Sequence, residues 1–327
     1  MTIISSISTF KRVLNIKLTM LSSKFRGCTW NINNGVISLS PPGANPEQCS
    51  RMDWNNRWRK VSKSIIKKFQ SGMNFVCVQE IRNMDKFYRS KNVEPVPCPP
   101  KEFLDNIRLA CKEAGINVDY VLEYRNSSDL PFGQATFFDL SKIKLINAER
   151  IALSWGHEGK FQYSRFGDSI ATVTDFDLNG EKISIANCHF PMGEDSKMMG
   201  VNNIKAFAQQ KTSEGFYVIV VGDFNFFMDK NGPEQLKSML EYFDDHSENL
   251  TTIDKEIIDG SFISYIGDSF YQTNLRKIPH LDRVFTPRNG PKLSVCVDVT
   301  SAKLDKIQED HSLYASDHLG LNFEWGN

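Results

Sequence analysis

The sequence predicts an α/β protein in which two packed sheets carry helices on their outer faces. Two observations lead there: eleven short apolar stretches have strand character against four with helical character, and each sheet must bury one face against another layer. A third is that the 327 residues contain no internal repeat and no long low-complexity linker, so the elements read as one domain.

In chain order the predicted strands are FRGCTWNI, NFVCVQE, YVLEYR, QATFFDL, KLINAERIALS, SIATVTDFDL, KISIANCHF, YVIVVGDF, LDRVFTP, LSVCVDV and GLNFEW. Each is short and rich in β-branched or aromatic residues, and turn-forming residues bound most of them. The predicted helices are NRWRKVSKSIIKKFQSG, PKEFLDNIRLACKEAG, MGVNNIKAFAQQKTSEG and GPEQLKSMLEYFDD. In the first, Trp58, Val61, Ile65 and Phe69 recur at three- and four-residue spacing, and Gly72 follows where a C-cap belongs. The second has Phe103, Ile107 and Ala110 on one face and Gly115 just past its end. A proline-rich connection, NVEPVPCPPKEF, leads into it.

Lys plus Arg and Asp plus Glu are balanced at 39 each. No global field therefore draws the protein onto nucleic acid or acidic lipid, although a local basic groove is compatible with the balance. The seven cysteines are scattered, without CxxC or zinc-ligand spacing. They read as reduced thiols of an intracellular, cytoplasmic protein. No apolar run reaches the ~18 residues of a membrane span. The first 26 residues carry five basic side chains and no acid, the composition of a mitochondrial presequence. The alternative is a frayed extension. Residues 1–23 are assigned to this extension and residues 24–327 to the folded domain.

The chemistry concentrates where strands end. Asn31 follows GCTW, Glu80 follows NFVCVQ, Asn187 and His189 close KISIANCH, Asp223 and Asn225 close VIVVGDFN, and Asp317 and His318 stand in YASDHLGL. A carboxylate at the end of a buried strand is costly to desolvate unless something pairs with it. Each residue alone has an ordinary explanation as a turn former, cap or satisfied core histidine. Convergence of all of them on one site explains the set.

TWNINNG, VQE, NCHF, GDFN, LDRVF and SDH, in this order and spread over nearly the whole chain, resemble the endonuclease/exonuclease/phosphatase superfamily. That group includes deoxyribonuclease-like nucleases, tyrosyl-DNA phosphodiesterases, deadenylases and inositol polyphosphate phosphatases. The resemblance implies a four-layer α/β/β/α sandwich of two packed, mainly antiparallel sheets flanked by helices, and a Mg²⁺-dependent phosphoric ester hydrolase in which Mn²⁺ can substitute. It implies Asp223 as the base that holds the attacking water, and Asn225 as its partner at the water or the phosphate. Glu80 becomes the metal ligand, Asn31 assists at the metal, and Asp317 is a second carboxylate there. His318 would donate to a phosphate oxygen with Asp282 orienting its ring, while His189 is a further phosphate donor and Asn187 a substrate-binding residue. All these positions are filled, which argues against a catalytically silent binding module on the same fold.

The substrate the resemblance implies first is a nucleic-acid phosphodiester. The alternative is a phosphorylated inositol, because residues 261–285 are similar to a stretch of the inositol 5-phosphatases. There Tyr271, Arg276 and Lys277 would grip a second phosphate through charge-assisted hydrogen bonds.

Overall fold

The computed structural model describes residues 25–32, 54–82, 100–124, 132–154, 169–191, 194–226, 234–248, 251–252, 281–298, 318 and 320–325. Tyr271, Arg276, Lys277 and Asp317 lie outside these residues.

The strands are β1 (Phe25–Asn31), β2 (Phe75–Arg82), β3 (Val118–Tyr124), β4 (Phe132–Asp139), β5 (Lys144–Ala152), β6 (Ile170–Leu178), β7 (Glu181–His189), β8 (Tyr217–Asp223), β9 (Phe243–Asp245), β10 (Thr251–Thr252), β11 (Asp282–Pro287), β12 (Ser294–Asp298) and β13 (Gly320–Trp325). The helices are α1 (Trp54–Gln70), α2 (Pro100–Glu113), α3 (Glu194–Ser213) and α4 (Glu234–Tyr242). All eleven predicted strands form. One sheet has seven strands in the order β10-β12-β13-β1-β2-β4-β3, and the other has six in the order β5-β6-β7-β8-β11-β9. Most neighbours are antiparallel, while β1 with β2, β7 with β8, and β10 with β12 run parallel.

Two departures from the sequence expectation have local causes. The fourth helix stops at Tyr242, and Phe243–Asp245 instead pairs with β11 as β9. Ring contacts from Phe243 to Phe285 and Tyr242 hold it there, so tertiary pairing overrides helical continuation. In α2 the buried stripe runs Leu104, Ile107 and Cys111, while Ala110 is half-buried. The helix is therefore rotated slightly from the face read in the sequence.

Strand alternation explains the cores. On β7 and β8, Ile183, Ile185, Ile219 and Val221 belong to the core shared with the seven-stranded sheet. Ala186, Val218 and Val220 pack on the other side with Val201, Ile204 and Met239 of α3 and α4. Both faces are covered, which is why VIVV is an unbroken apolar run. Burial of each such side chain contributes about 1.5–3 kcal/mol. The same period of two places Asn187 and His189 on the face of Ile185, and Asp223 on the face of Val221. These polar strand-end groups thus stand on the inner face of the sandwich, at the ends of the parallel strands.

Among the described residues no helix is long and apolar enough to cross a membrane, and Cys28, Cys77, Cys111, Cys188 and Cys296 are all free thiols.

Candidate active site

Register brings the polar strand ends together. On the six-stranded sheet His189 is paired with Asp223 across β7 and β8, and Asp223 with Asp282 across β8 and β11. On the facing sheet Asn31 is paired with Gln79 across β1 and β2. Three backbone features make this possible.

The first is Gly222, at φ 132°, where an added Cβ would lie 1.9 Å from the carbonyl oxygen of Cys188. The glycine of GDFN is therefore demanded by the close approach of β7, and not only by a turn. The second is a bulge in β2 between Val78 and Ile81, with Glu80 at φ 61°. Simple alternation would send Gln79 and Glu80 to opposite faces. The bulge re-aims Glu80, so that both side chains reach toward β7: Gln79 Nε2 donates to Asn187 Oδ1 at 2.7 Å, and Glu80 Oε1 stands 3.7 Å from His189 Nε2. The third is Asn225 at φ 49°, a left-handed conformation that asparagine tolerates better than most residues.

The side chains then converge. Asn31 Nδ2 donates to Asp223 Oδ2 at 2.9 Å and to Glu80 Oε1 at 3.1 Å, and lies 3.4 Å from His318 Nε2. His189 Nε2 and His318 Nε2 each stand 3.7 Å from Asp223 Oδ2. Asp223 Oδ1 accepts the backbone N–H of Asn225 at 2.9 Å. His318 Nδ1 is 2.7 Å from Asp282 Oδ2, and its carbonyl accepts the Trp30 indole N–H at 3.0 Å. This arrangement fixes the ring and supports a proton on Nδ1. The next residue of LDRVF, Arg283, alternates away and pairs with Asp245 of β9, so the two charges of that motif serve different tasks.

Burial pushes the Asp223 carboxyl up to about 7; the nearby His318 opposes the shift and Asp282 adds to it. Such a group is costly to keep ionised as it stands. Glu80, His189 and Asp223 offer ligand atoms that all lie within 4.8 Å of one another. Two carboxylates this close in a largely buried site repel unless a cation or proton intervenes, so the donor set fits a hard divalent cation. Of the three, the carboxylate oxygens suit such an ion; the imidazole is better matched to a phosphate oxygen.

Asn187 is drawn away from this cluster. Its Nδ2 donates to the carbonyls of Ala135 at 3.1 Å and Val78 at 3.3 Å, its Oδ1 accepts from Gln79, and it is fully buried. It bridges the two sheets beneath the site. Gln79, Trp30 and Thr29, whose hydroxyl accepts from Gln79 at 2.9 Å, were not singled out from the sequence. Their signal was adjacency to Asn31 and Glu80.

No family model and no curated protein matches the sequence. Solved structures match its fold. An endonuclease/exonuclease/phosphatase family protein from Bacteroides thetaiotaomicron aligns with TM-score 0.63 at 15% identity, over 93% of this chain and 98% of that one. A mannosyl-6-phosphatase from the same species aligns with TM-score 0.62 at 15% identity, over 93% and 100%. D. rerio TDP2 complexed with single-strand DNA product aligns with TM-score 0.55 at 15% identity, over 93% and 100%.

Proposed function

We propose that this chain, which has the fold of the endonuclease/exonuclease/phosphatase superfamily, hydrolyses a phosphate ester by in-line attack of water. The observation that carries the reading is the convergence of Asn31, Glu80, His189, Asp223 and the His318–Asp282 pair at one end of the sandwich. Mg²⁺, or Mn²⁺ in its place, would be held by Glu80 with help from Asn31 and Asp317, and supplies charge neutralisation at the phosphate.

This chain's residues do the rest. Asp223 orients the water through a lone pair left open at Oδ2, which accepts the Asn31 amide, while Oδ1 holds the Asn225 N–H. It accepts the water's proton as the bond to phosphorus forms and the ester oxygen departs. One amide proton of Asn225 is held by the Phe190 carbonyl at 3.0 Å, and the other serves the phosphate. His318, backed by Asp282, donates from Nε2 to a non-bridging oxygen, and His189 donates to another. No covalent intermediate is required.

The substrate we assign first is a nucleic-acid phosphodiester, a reading supported by the motifs TWN, DRVF and SDH and by likeness in fold to the TDP2 complex with single-strand DNA product. A second reading is a phosphomonoester on a polyol such as inositol. The stretch containing Tyr271, Arg276 and Lys277 favours it, and so does likeness in fold to the mannosyl-6-phosphatase.

A panel of DNA, RNA, a 5′-tyrosyl oligonucleotide, inositol phosphates and sugar phosphates tests both. Turnover is expected with Mg²⁺ or Mn²⁺ and is abolished by a chelator. Preference for an oligonucleotide supports the first reading, and preference for a monoester the second. Full activity in excess chelator removes the role assigned to Glu80.

A further inference from the structure

Lys197 lies in the first turn of α3, the crossover helix between β7 and β8, and is 0% exposed. A lysine wholly out of water is costly unless its ammonium is hydrogen-bonded. Its Nζ donates to the main-chain carbonyl of Asn225 at 2.6 Å. That carbonyl belongs to the residue held at φ 49°. Such a conformation is strained for a non-glycine residue, and persists where its surroundings over-determine it.

The surroundings form a closed set of contacts. Asn225 N–H donates to Asp223 Oδ1 at 2.9 Å, Asn225 Nδ2 to the Phe190 carbonyl at 3.0 Å, and Phe190 N–H back to the Asp223 carbonyl at 2.8 Å. The rings of Phe190, Phe224 and Phe226 pack on one another with centroids 5.0 to 5.5 Å apart. Lys197 brings a side-chain donor from α3 onto this turn. It ties α3 to the segment that aims both Asp223 and Asn225.

We propose that Lys197 is a positioning residue of the site. It acts through Asn225, clamping the 223–226 turn onto the 189–190 strand end so that the Asp223 carboxylate and the Asn225 amide keep their mutual orientation. The inference rests on the phosphoesterase reading for its effect on turnover, and on geometry alone for its effect on the turn. A purely structural lysine predicts something different: lower melting temperature with full turnover in the folded molecules.

The test uses Lys197→Met, Lys197→Arg, and Lys197→Met combined with Asn225→Ala, in the full chain. Loss of alignment by a few tenths of an ångström lowers kcat of Lys197→Met by roughly 10- to 100-fold with KM changed by less than about threefold. Lys197→Arg, which keeps a charged donor, recovers most of that loss. The double variant falls by less than the product of the Lys197→Met and Asn225→Ala losses, because both changes act on one element. In a measurement that needs no substrate, amide hydrogen exchange at residues 224–226 accelerates at least about tenfold in Lys197→Met while residues 218–221 keep their protection.

Turnover of folded Lys197→Met within threefold of the parent protein, additive losses in the double variant, or unchanged exchange at 224–226 overturns the proposal. If the parent protein turns over no phosphate ester, the phosphoesterase reading falls, and the exchange measurement still decides whether Lys197 holds the turn. Should Lys197→Met not fold, Lys197→Gln replaces it with the same forecast and the same overturning results.

Discussion

Two buried aspartates on the same sheet are treated in opposite ways. Asp175, on β6, accepts the Lys211 ammonium at 2.6 Å and the Ser184 hydroxyl at 2.6 Å, and Glu149 shares that lysine at 2.9 Å. Asp223, on β8, is just as buried but is met by an asparagine amide, a backbone N–H and two imidazoles at 3.7 Å. The first charge is neutralised at contact by a lysine. The second is left with neutral or titratable neighbours, and burial pushes it up to about 7. Lys68, which donates to Asp298 and Asn322 at 2.9 Å each, follows the pattern of Asp175. Buried charges that meet an opposite charge at contact hold the fold together. Asp223, by contrast, is a buried carboxyl without a cation at contact among the described side chains, the kind of perturbed group that marks a candidate site.

The contrast can be broken at several points. The largest effect is expected from Gly222→Ala, next to Asp223, because the new methyl meets the Cys188 carbonyl at 1.9 Å. The strand must separate from β7, and a loss of about 4 kcal/mol or failure to fold is expected in a denaturant titration. Asp223→Asn keeps the shape but removes the charge and one of the two acceptors that the Asn225 N–H and the Asn31 amide use. It should lower kcat by roughly 10² to 10⁴ with little change in substrate affinity. Near-normal turnover with an intact circular-dichroism spectrum would sink the base assignment.

Asp175→Asn should do the reverse. Leaving Lys211 with only half-exposed Glu149 costs about 2–4 kcal/mol of stability, and turnover of the folded protein stays unchanged. Equal melting temperatures for Asp175→Asn and the parent protein would contradict the role given to that pair. The smallest effect concerns pH. Burial alone would lower the Lys211 pKa, but its hydrogen bonds to Asp175 and Glu149 outweigh burial and raise it above 10.5. A cation with a raised folded pKa contributes stability that is fully present below 10.5 and is lost as pH rises through the folded value. Between pH 6 and 9 this pair should therefore leave stability flat, with a decline only in strong alkali, and Asp175→Asn should remove that decline.

Much of this molecule is determined by short-range pattern. All eleven strands proposed from β-branched and aromatic runs form; in β6, β7 and β8 the reason is that a strand buried on both faces needs an apolar sequence, whereas β5 forms as a largely exposed edge. The polar residues that end those runs were equally legible, since Asp223, His189 and Glu80 interrupt sequences that otherwise avoid charge. Other features follow from elements that meet only in the fold. Phe243–Asp245 becomes a strand because β11 presents it with an edge, although its residues continue a helical pattern. Glu80 reaches the site through a bulge with positive φ, which period-two reasoning assigns to the wrong face. Asn187, which the sequence groups with His189, is two residues deeper, and there its amide bonds the facing sheet. Lys197, seven residues beyond the NCHF motif, gains its partner because α3 crosses over the end of β8. A strand's composition records its own burial, whereas the partner of a buried polar group is chosen by whichever distant segment the packing brings within hydrogen-bond reach.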